Sequence, residues 1–253
     1  GSFNLPAGFI LPGTILSSLT IGGLKSYGIV TIANGALDNA NNGVLNFPIN
    51  ILIGGLYGAA STNLSAANVS LNFGNIHTQN NGATPSPITV LVGAAVPGYK
   101  QAVASNATAT STLNLTGTID SGGAAVTLGA GNGITATGAA INTNGGALNI
   151  FNFGATAAMN FDASSPINLG GGNLYLYSPG ANVLNNSIAG SGNVNILSNT
   201  APELSAYAPT IANGIFSLGG ANTYTGATIM NQGTVVANSA SALGGSTAAG
   251  ATL

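Results

Sequence analysis

Charged side chains are almost absent from this sequence. Its 253 residues include two basic side chains, Lys25 and Lys100, and four acidic ones. Charged residues make up 2% of the chain, compared with about 25% in an ordinary globular domain. Because so few charges cannot attract a polyanion or an anionic bilayer, we expect neither nucleic-acid binding nor membrane insertion of this segment. An almost uncharged surface instead favours contacts between copies, so we expect a homo-oligomer or polymer.

Cysteine is also absent, which excludes a disulfide framework and a thiolate metal site. The sequence begins at Gly1 rather than Met, and the apolar run of residues 9–16 has no basic residue before it. We therefore expect a processed or cloned piece of a longer protein. Residues 39–99 contain no Asp, Glu, Lys or Arg, but Gly, Asn and Pro recur too often there for a transmembrane helix.

The clearest pattern is a phrase that occurs three times, in which a glycine turn leads into a short strand. The copies are residues 145–150 (GGALNI), 171–176 (GGNLYL) and 192–197 (GNVNIL). Leu148, Leu174 and Val194 are thus 26 and then 20 residues apart, a spacing typical of solenoid repeats. Between these copies lie further short apolar segments, separated by Gly, Asn and Ser. This arrangement predicts an all-β fold, a β-solenoid with three short strands per coil.

The periodicity is weaker near the beginning of the chain, where Pro6, Pro12 and Pro48 interrupt it. Proline cannot donate to a strand pairing and is confined to strand ends and edges. We therefore predict a less regular N-terminal cap region over residues 1–60 and solenoid coils over 61–253. A competing hypothesis makes residues 3–21 an assembly strand that pairs with the open end of a neighbouring copy.

Asparagine recurs through the coils, and two interpretations are open. Stacked side-chain amides could form hydrogen-bonded ladders along the solenoid, or the amides could serve the turns alone. We expect a mixture in which turn chemistry predominates. The positions are Asn149, Asn152, Asn160, Asn168, Asn173, Asn182, Asn193 and Asn195.

Four tyrosines also admit two interpretations. They could line up as a sugar-stacking stripe on the surface, or they could pack inside the coils and at strand edges. Aromatic residues favour strands whatever their function, so the second interpretation is preferred. These residues are Tyr175, Tyr177, Tyr207 and Tyr224.

A specific family pattern begins at residue 219. Residues 219–229 (GGANTYTGATI) are followed by 231–238 (NQGTVVAN) and 241–244 (SALG). Together, residues 219–244 resemble the autotransporter-associated β-strand repeat, except that Val235 stands where leucine is usual. The resemblance implies a bacterial autotransporter-type passenger protein, folded as a right-handed β-helix and displayed or released at the cell surface.

Residues with the potential for catalysis or metal binding are few. His77 is the only imidazole, and a triad or zinc site needs further partners, so we expect a solvated turn histidine. Residues 38–43 (DNANNG) superficially resemble a calcium loop, but Ala40 occupies a liganding position and no glutamate follows at the required spacing. We therefore predict no metal and no cofactor.

The carboxylates raise the hypothesis of a glycosidase or lyase. Asp120, Asp162 and Glu203 are 42 and 41 residues apart, close to two coils each, and two coils would separate them by roughly 9.6 Å. That distance is near the upper limit for an inverting carboxylate pair. Their spacing from the next strand differs, however, and no nearby base could bind an acidic sugar. We therefore predict no catalytic residue and no enzyme.

The function predicted from the sequence is structural or adhesive. We expect a secreted or cell-surface β-solenoid that assembles into extracellular fibres or a biofilm matrix, with copies of itself and surface or matrix glycans as partners. Two alternatives stay open. One is a carbohydrate-processing β-helix enzyme that would use Asp162 and Glu203, and the other is a monomeric surface binding module.

Overall fold

The computed structural model describes residues 2–6, 18–23, 29–32, 49–53, 69–73, 76–77, 86–92, 111–152, 156–196, 214–245 and 251–252. Within these ranges the regular structure consists of β-strands. No helix in the described ranges has the length and apolarity that a membrane span requires.

The strands form three sheets. Sheet 1 has the spatial order β1 (Ser2–Leu5), β3 (Ile29–Ile32), β5 (Val69–Phe73), β8 (Ser111–Leu115), β11 (Gly133–Ala136), β14 (Ala158–Phe161), β17 (Ala181–Leu184), β20 (Ile215–Leu218) and β22 (Thr234–Ala237). Sheet 2 has the order β2 (Leu19–Gly23), β4 (Ile49–Ile53), β7 (Ile88–Val92), β10 (Val126–Ala130), β13 (Leu148–Asn152), β16 (Leu174–Tyr177), β19 (Val194–Ile196), β21 (Thr228–Met230) and β23 (Ala251–Thr252). Sheet 3 contains β6 (Ile76–His77), β9 (Ile119–Asp120), β12 (Ile141–Asn142), β15 (Ile167–Asn168) and β18 (Ile188–Ala189).

Successive coils in the middle of the chain visit the three sheets in the same order. From β8 to β19 the chain passes from sheet 1 to sheet 3, then to sheet 2, and returns to sheet 1 one layer further along, whereas in the described residues β20 and β22 are followed directly by strands of sheet 2. Every described pairing is parallel. The fold is therefore a β-solenoid with three short strands per coil, which confirms the fold class expected from the sequence.

The three glycine-led phrases lie in adjacent coils, as the repeat predicts. Leu148 of β13 pairs with Leu174 of β16, and Leu174 pairs in turn with Val194 of β19. Coils of unequal length thus keep one register, because the additional residues lie in the connections between strands.

The interior is filled by side chains that stack on their equivalents one coil away. In sheet 3, Ile119, Ile141, Ile167 and Ile188 occupy successive layers, and each is no more than 1% exposed. Burying an isoleucine side chain contributes about 1.5–3 kcal/mol. The column as a whole accordingly stabilises the joint between every pair of neighbouring coils in this part of the chain.

One corner of the coil requires glycine. Gly146, Gly172, Gly192 and Gly226 each stand two residues before a strand of sheet 2. A Cβ on Gly172 would overlap the carbonyl oxygen of Gly146, and a Cβ on Gly192 would overlap the carbonyl oxygen of Gly172. The glycines that the sequence pattern assigns to turns therefore also allow the backbones of adjacent coils to approach closely.

Asparagine side chains join neighbouring coils. Asn173 accepts a hydrogen bond from the backbone N–H of Asn193 at 2.9 Å, and Asn193 accepts one from Ala227 at 2.9 Å. Asn222 is buried, accepts from the N–H of Ile188 at 2.8 Å and donates to the carbonyl of Ala242 at 2.7 Å. These amides bond mainly to backbone groups of the next coil, a role that lies between amide ladders and local turn chemistry.

Strands of the N-terminal segment continue the same sheets. β1 and β3 extend sheet 1, and β2 and β4 extend sheet 2, all in parallel register. The described strands of residues 1–60 therefore pair in the same way as those of the later coils. Whether this segment acts as a cap or as an assembly strand stays a prediction.

We expect Gly172→Ala to lower the free energy of unfolding by about 1–3 kcal/mol or more. The new methyl group would overlap the carbonyl oxygen of Gly146, and overpacking that forces the backbone to shift typically has this cost. Urea unfolding followed by circular dichroism measures the change. Gly171→Ala is the matched control. Its Cβ would meet Ser191 Oγ at 3.7 Å, an ordinary contact, so we expect no loss or a gain of about 0.4–1 kcal/mol. Equal losses in the two variants would contradict the close approach at this corner.

We expect Asn222→Ala to destabilise the last described coils, because it leaves a buried N–H and a buried carbonyl without their partner. The cost is about 1–3 kcal/mol for each group left unpaired. The same unfolding measurement tests this, with the exposed Asn168→Ala as the control. A loss no larger than that of the control would show that Asn222 does not hold these coils together.

Candidate interaction face

The two carboxylates that the structure describes lie at different corners of the coil. Asp162 follows β14 and begins the connection to sheet 3, whereas Asp120 ends β9 of sheet 3. Asp120 is in line with Asn142 and then Asn168. The residue two coils beyond Asp120 is therefore Asn168 rather than Asp162, so the spacing of 42 residues does not bring the two carboxylates into line. Asp38 and Glu203 lie outside the described residues.

Asp162 organises the turn that follows β14. Its Oδ1 accepts hydrogen bonds from the hydroxyls of Ser165 at 2.6 Å and Ser164 at 2.8 Å, and from the Ser164 N–H at 3.1 Å. The Ser165 hydroxyl, and then the Ser164 hydroxyl, hold the pKa of Asp162 below its ordinary value of 3.8, because they stabilise the charged form. This carboxylate is occupied by turn hydrogen bonds.

Asp120 has a similar role at the next corner. Its Oδ1 accepts from the backbone N–H of Gly122 at 3.1 Å and from the side-chain amide of Asn144 at 3.0 Å. The second bond reaches the next coil, so the carboxylate contributes to the joint between coils.

His77 lies in a strand rather than a turn. It is the second residue of β6, and its register partner in the next coil is Asp120. The expectation that His77 lies in a turn is therefore wrong, and the register pairing joins residues that are 43 positions apart in the sequence.

The other sequence hypotheses about binding sites have these outcomes. Among the residues described, no group of three or more His, Asp or Glu side chains is placed to hold a metal ion. The calcium-like loop 38–43 lies outside the described residues, as does Tyr207. Tyr224 is fully buried and bonds through its hydroxyl to Thr228, and burial raises its pKa.

Tyr175 and Tyr177 complete the tyrosine set. Tyr177 is 6% exposed, and burial raises its pKa. Tyr175 is half-buried and accepts a hydrogen bond from Asn173 at 3.3 Å. The preferred interpretation, in which the tyrosines pack within the structure, therefore holds for the three described members.

Sheet 2 is buried on both of its sides in the middle of the chain. Every residue of β10 and of β13 is buried, including those that alternate with the interior positions. One such residue, Phe151, is fully buried and lies against Gly129 of the preceding coil. Sheet 2 therefore offers little free surface there, and sheet 3 has strands of only two residues.

Sheet 1 carries the broad exposed surface of the described chain. From β8 to β20 its strands alternate between buried positions and exposed or partly exposed ones, and we call the outward-facing set from β8 to β22 the outer face of sheet 1. It consists of Thr112, Asn114, Gly133, Thr135, Ala158, Asn160, Ala181, Val183, Ile215, Ser217, Thr234 and Val236.

The outer face of sheet 1 is uncharged and changes in character along its length. Toward β8 it presents hydroxyls and amides, and Thr135 donates to the Asn114 side chain at 2.6 Å. Toward β22 it presents Val183, Ile215 and Val236, which are 38%, 44% and 39% exposed. In the described ranges these three are the exposed large hydrophobic side chains, and all of them lie on this one face.

The exposed apolar residues arise where the usual alternation fails. In β17 the polar Asn182 is buried, accepts from the Met159 N–H at 2.8 Å, and leaves Val183 outside. In β20, Ile215 and Phe216 are adjacent, so one of them must face outward. Adjacent apolar pairs within a short strand are the sequence signal that would have identified this patch.

Comparison with known proteins found no matching family model, no matching curated protein and no matching solved structure. Residues 219–244 span β21, β22 and their connections in the last described coils. Their resemblance to the autotransporter-associated repeat, and everything that the resemblance implies, stays a prediction.

We expect the stabilising effect of Asp162 to depend on pH. The folded protein depresses its pKa below 3.8, so its contribution is present above the ordinary aspartate pKa and is lost as pH falls through the folded-state value. Thermal unfolding of Asp162→Ala and of the parent should therefore differ at neutral pH and converge in strong acid. Asn160→Ala, an exposed change in the preceding strand β14, should show no such convergence. A difference that is constant across the pH range would contradict the role of the charge.

Proposed function

We propose that this chain is part of a secreted or cell-surface structural and adhesive element of a bacterium, and that it works without catalysis. The observation that supports this most directly is the continuous pairing of strands along the solenoid. Sheets 1 and 2 each extend through nine described strands in parallel register, so backbone hydrogen bonds and stacked apolar side chains join each coil to the next. Such an array has the properties of a stiff rod.

The chemistry of the surface supports the same proposal. The described carboxylates accept hydrogen bonds within turns, and the broad outer face of sheet 1 carries hydroxyls, amides and aliphatic groups. A wide neutral face suits contact with other neutral surfaces, including glycans and further copies of the chain. Extracellular placement is part of the proposal and follows from the resemblance over residues 219–244.

Immunogold electron microscopy of cells that produce the protein tests this function. We expect an antibody against the chain to label the outside of intact cells, on extended filaments or on short rods. Filaments would identify a fibre, and isolated rods an adhesin. Permeabilised cells and antibody pre-adsorbed with purified protein are the controls. Labelling that requires permeabilisation would contradict the proposal.

A further inference from the structure

We infer that the outer face of sheet 1 is a self-association surface, on which a second copy packs side by side with its solenoid axis parallel to the first. This inference rests on the proposed function, which includes contact between copies, and it specifies the face, the partner and the orientation. Four observations support it, and they concern the patch, the charge, the area and the polarity of this face.

The first observation is the grouping of exposed apolar side chains. Val183, Ile215 and Val236 lie on three successive strands, β17, β20 and β22, and Val183 is in line with Ser217 and then with Val236. Ala181 is exposed beside Ile215 in the neighbouring column. A group of exposed apolar side chains bordered by polar ones is typical of a protein interaction surface. Here Ser217 lies between the two valines, and Asn160 and Thr234 border the group.

The second observation is neutrality. None of the described residues of this face carries a charge, so two copies can bring the same face together without repulsion or the burial of an ion. A partner selected by charge would find nothing to pair with on this face. A second copy presents an equally uncharged face of identical shape, and a face that meets itself is the commonest arrangement in symmetric dimers.

The third observation is area. The six strands from β8 to β22, at about 4.8 Å spacing, make a face about 24 Å long, and a strand of four residues is about 13 Å wide. Two such faces would bury about 600 Å² in total, which is in the range of weak, transient contacts. The expected dimer is therefore reversible.

The fourth observation sets the orientation. The face is polar toward β8 and apolar toward β22. When the two axes are parallel, the apolar patch of one copy meets the apolar patch of the other, and the hydroxyl and amide groups meet one another. When the axes are antiparallel and the faces overlap fully, each apolar patch would cover polar groups that lose water without gaining a partner. The parallel arrangement avoids that cost.

Sedimentation equilibrium of the purified chain tests the surface. We expect the parent to dimerise reversibly, and Ile215→Lys to weaken the dimer by at least about tenfold in Kd, because the new charge would be buried against an uncharged face. The shape-conserving double variant Val183→Thr, Val236→Thr should also weaken it. Asn168→Lys adds the same charge to an exposed position of sheet 3 and should leave Kd nearly unchanged. Circular dichroism confirms that each variant is folded.

Disulfide trapping tests the orientation. Since the chain contains no cysteine, a single introduced thiol can bond only to another copy. A mixture of Thr234→Cys and Val236→Cys, which lie at the same level, should form disulfide dimers on mild oxidation. A mixture of Val236→Cys and Asn114→Cys should form no mixed dimer, because these positions lie about 24 Å apart along the axis and would meet only if the two axes were antiparallel. Asn168→Cys on sheet 3 gives the background rate.

Three results would overturn the inference. The parent could remain monomeric at every accessible concentration, the dimer could respond to Asn168→Lys rather than to Ile215→Lys, or the mixed disulfide between Val236→Cys and Asn114→Cys could form. None of these results would affect surface labelling of intact cells. Failure of this inference and failure of the proposed function are therefore distinguishable.

Discussion

The structure depends on one constraint, which is that each strand lies in parallel register on its equivalent in the next coil. A backbone N–H or carbonyl that is buried without a partner is costly, so each coil must present its groups at the heights where the next coil needs them. This requirement explains the glycines two residues before the strands of sheet 2, where adjacent backbones come too close for a Cβ. It also explains why the side chains of Asn222 and Asn193 hydrogen-bond to backbone groups of neighbouring coils.

The architecture could be predicted because every coil meets this constraint with similar residues. The spacing of Leu148, Leu174 and Val194 identifies equivalent positions directly, and the structure stacks them. The alternation of apolar residues identifies the interior for the same reason. A period in the sequence is therefore a reliable guide wherever each layer repeats the same packing.

The positions of the polar and exposed residues could not be predicted in the same way. Connections differ in length from coil to coil, so a count of residues does not give the height or the corner at which a side chain lies. Asp120 and Asp162 are 42 residues apart and lie at different corners, whereas His77 and Asp120 are 43 residues apart and are register partners in adjacent coils. Local exceptions are equally difficult. The burial of Asn182 turns Val183 outward, because an amide that bonds to backbone on both sides can replace an aliphatic residue inside.

The division of the solenoid into coils has a mechanical consequence. Each described coil contacts mainly the coil before it and the coil after it, and its hydrogen bonds to them run along the axis of the solenoid. Tension along that axis loads the bonds of all three sheets at a joint together, while successive joints share the load in series. A force that pulls on one end of the chain instead breaks the bonds of one coil at a time. Such an element resists stretching as a whole but yields by peeling, and the weakest joint determines where rupture begins.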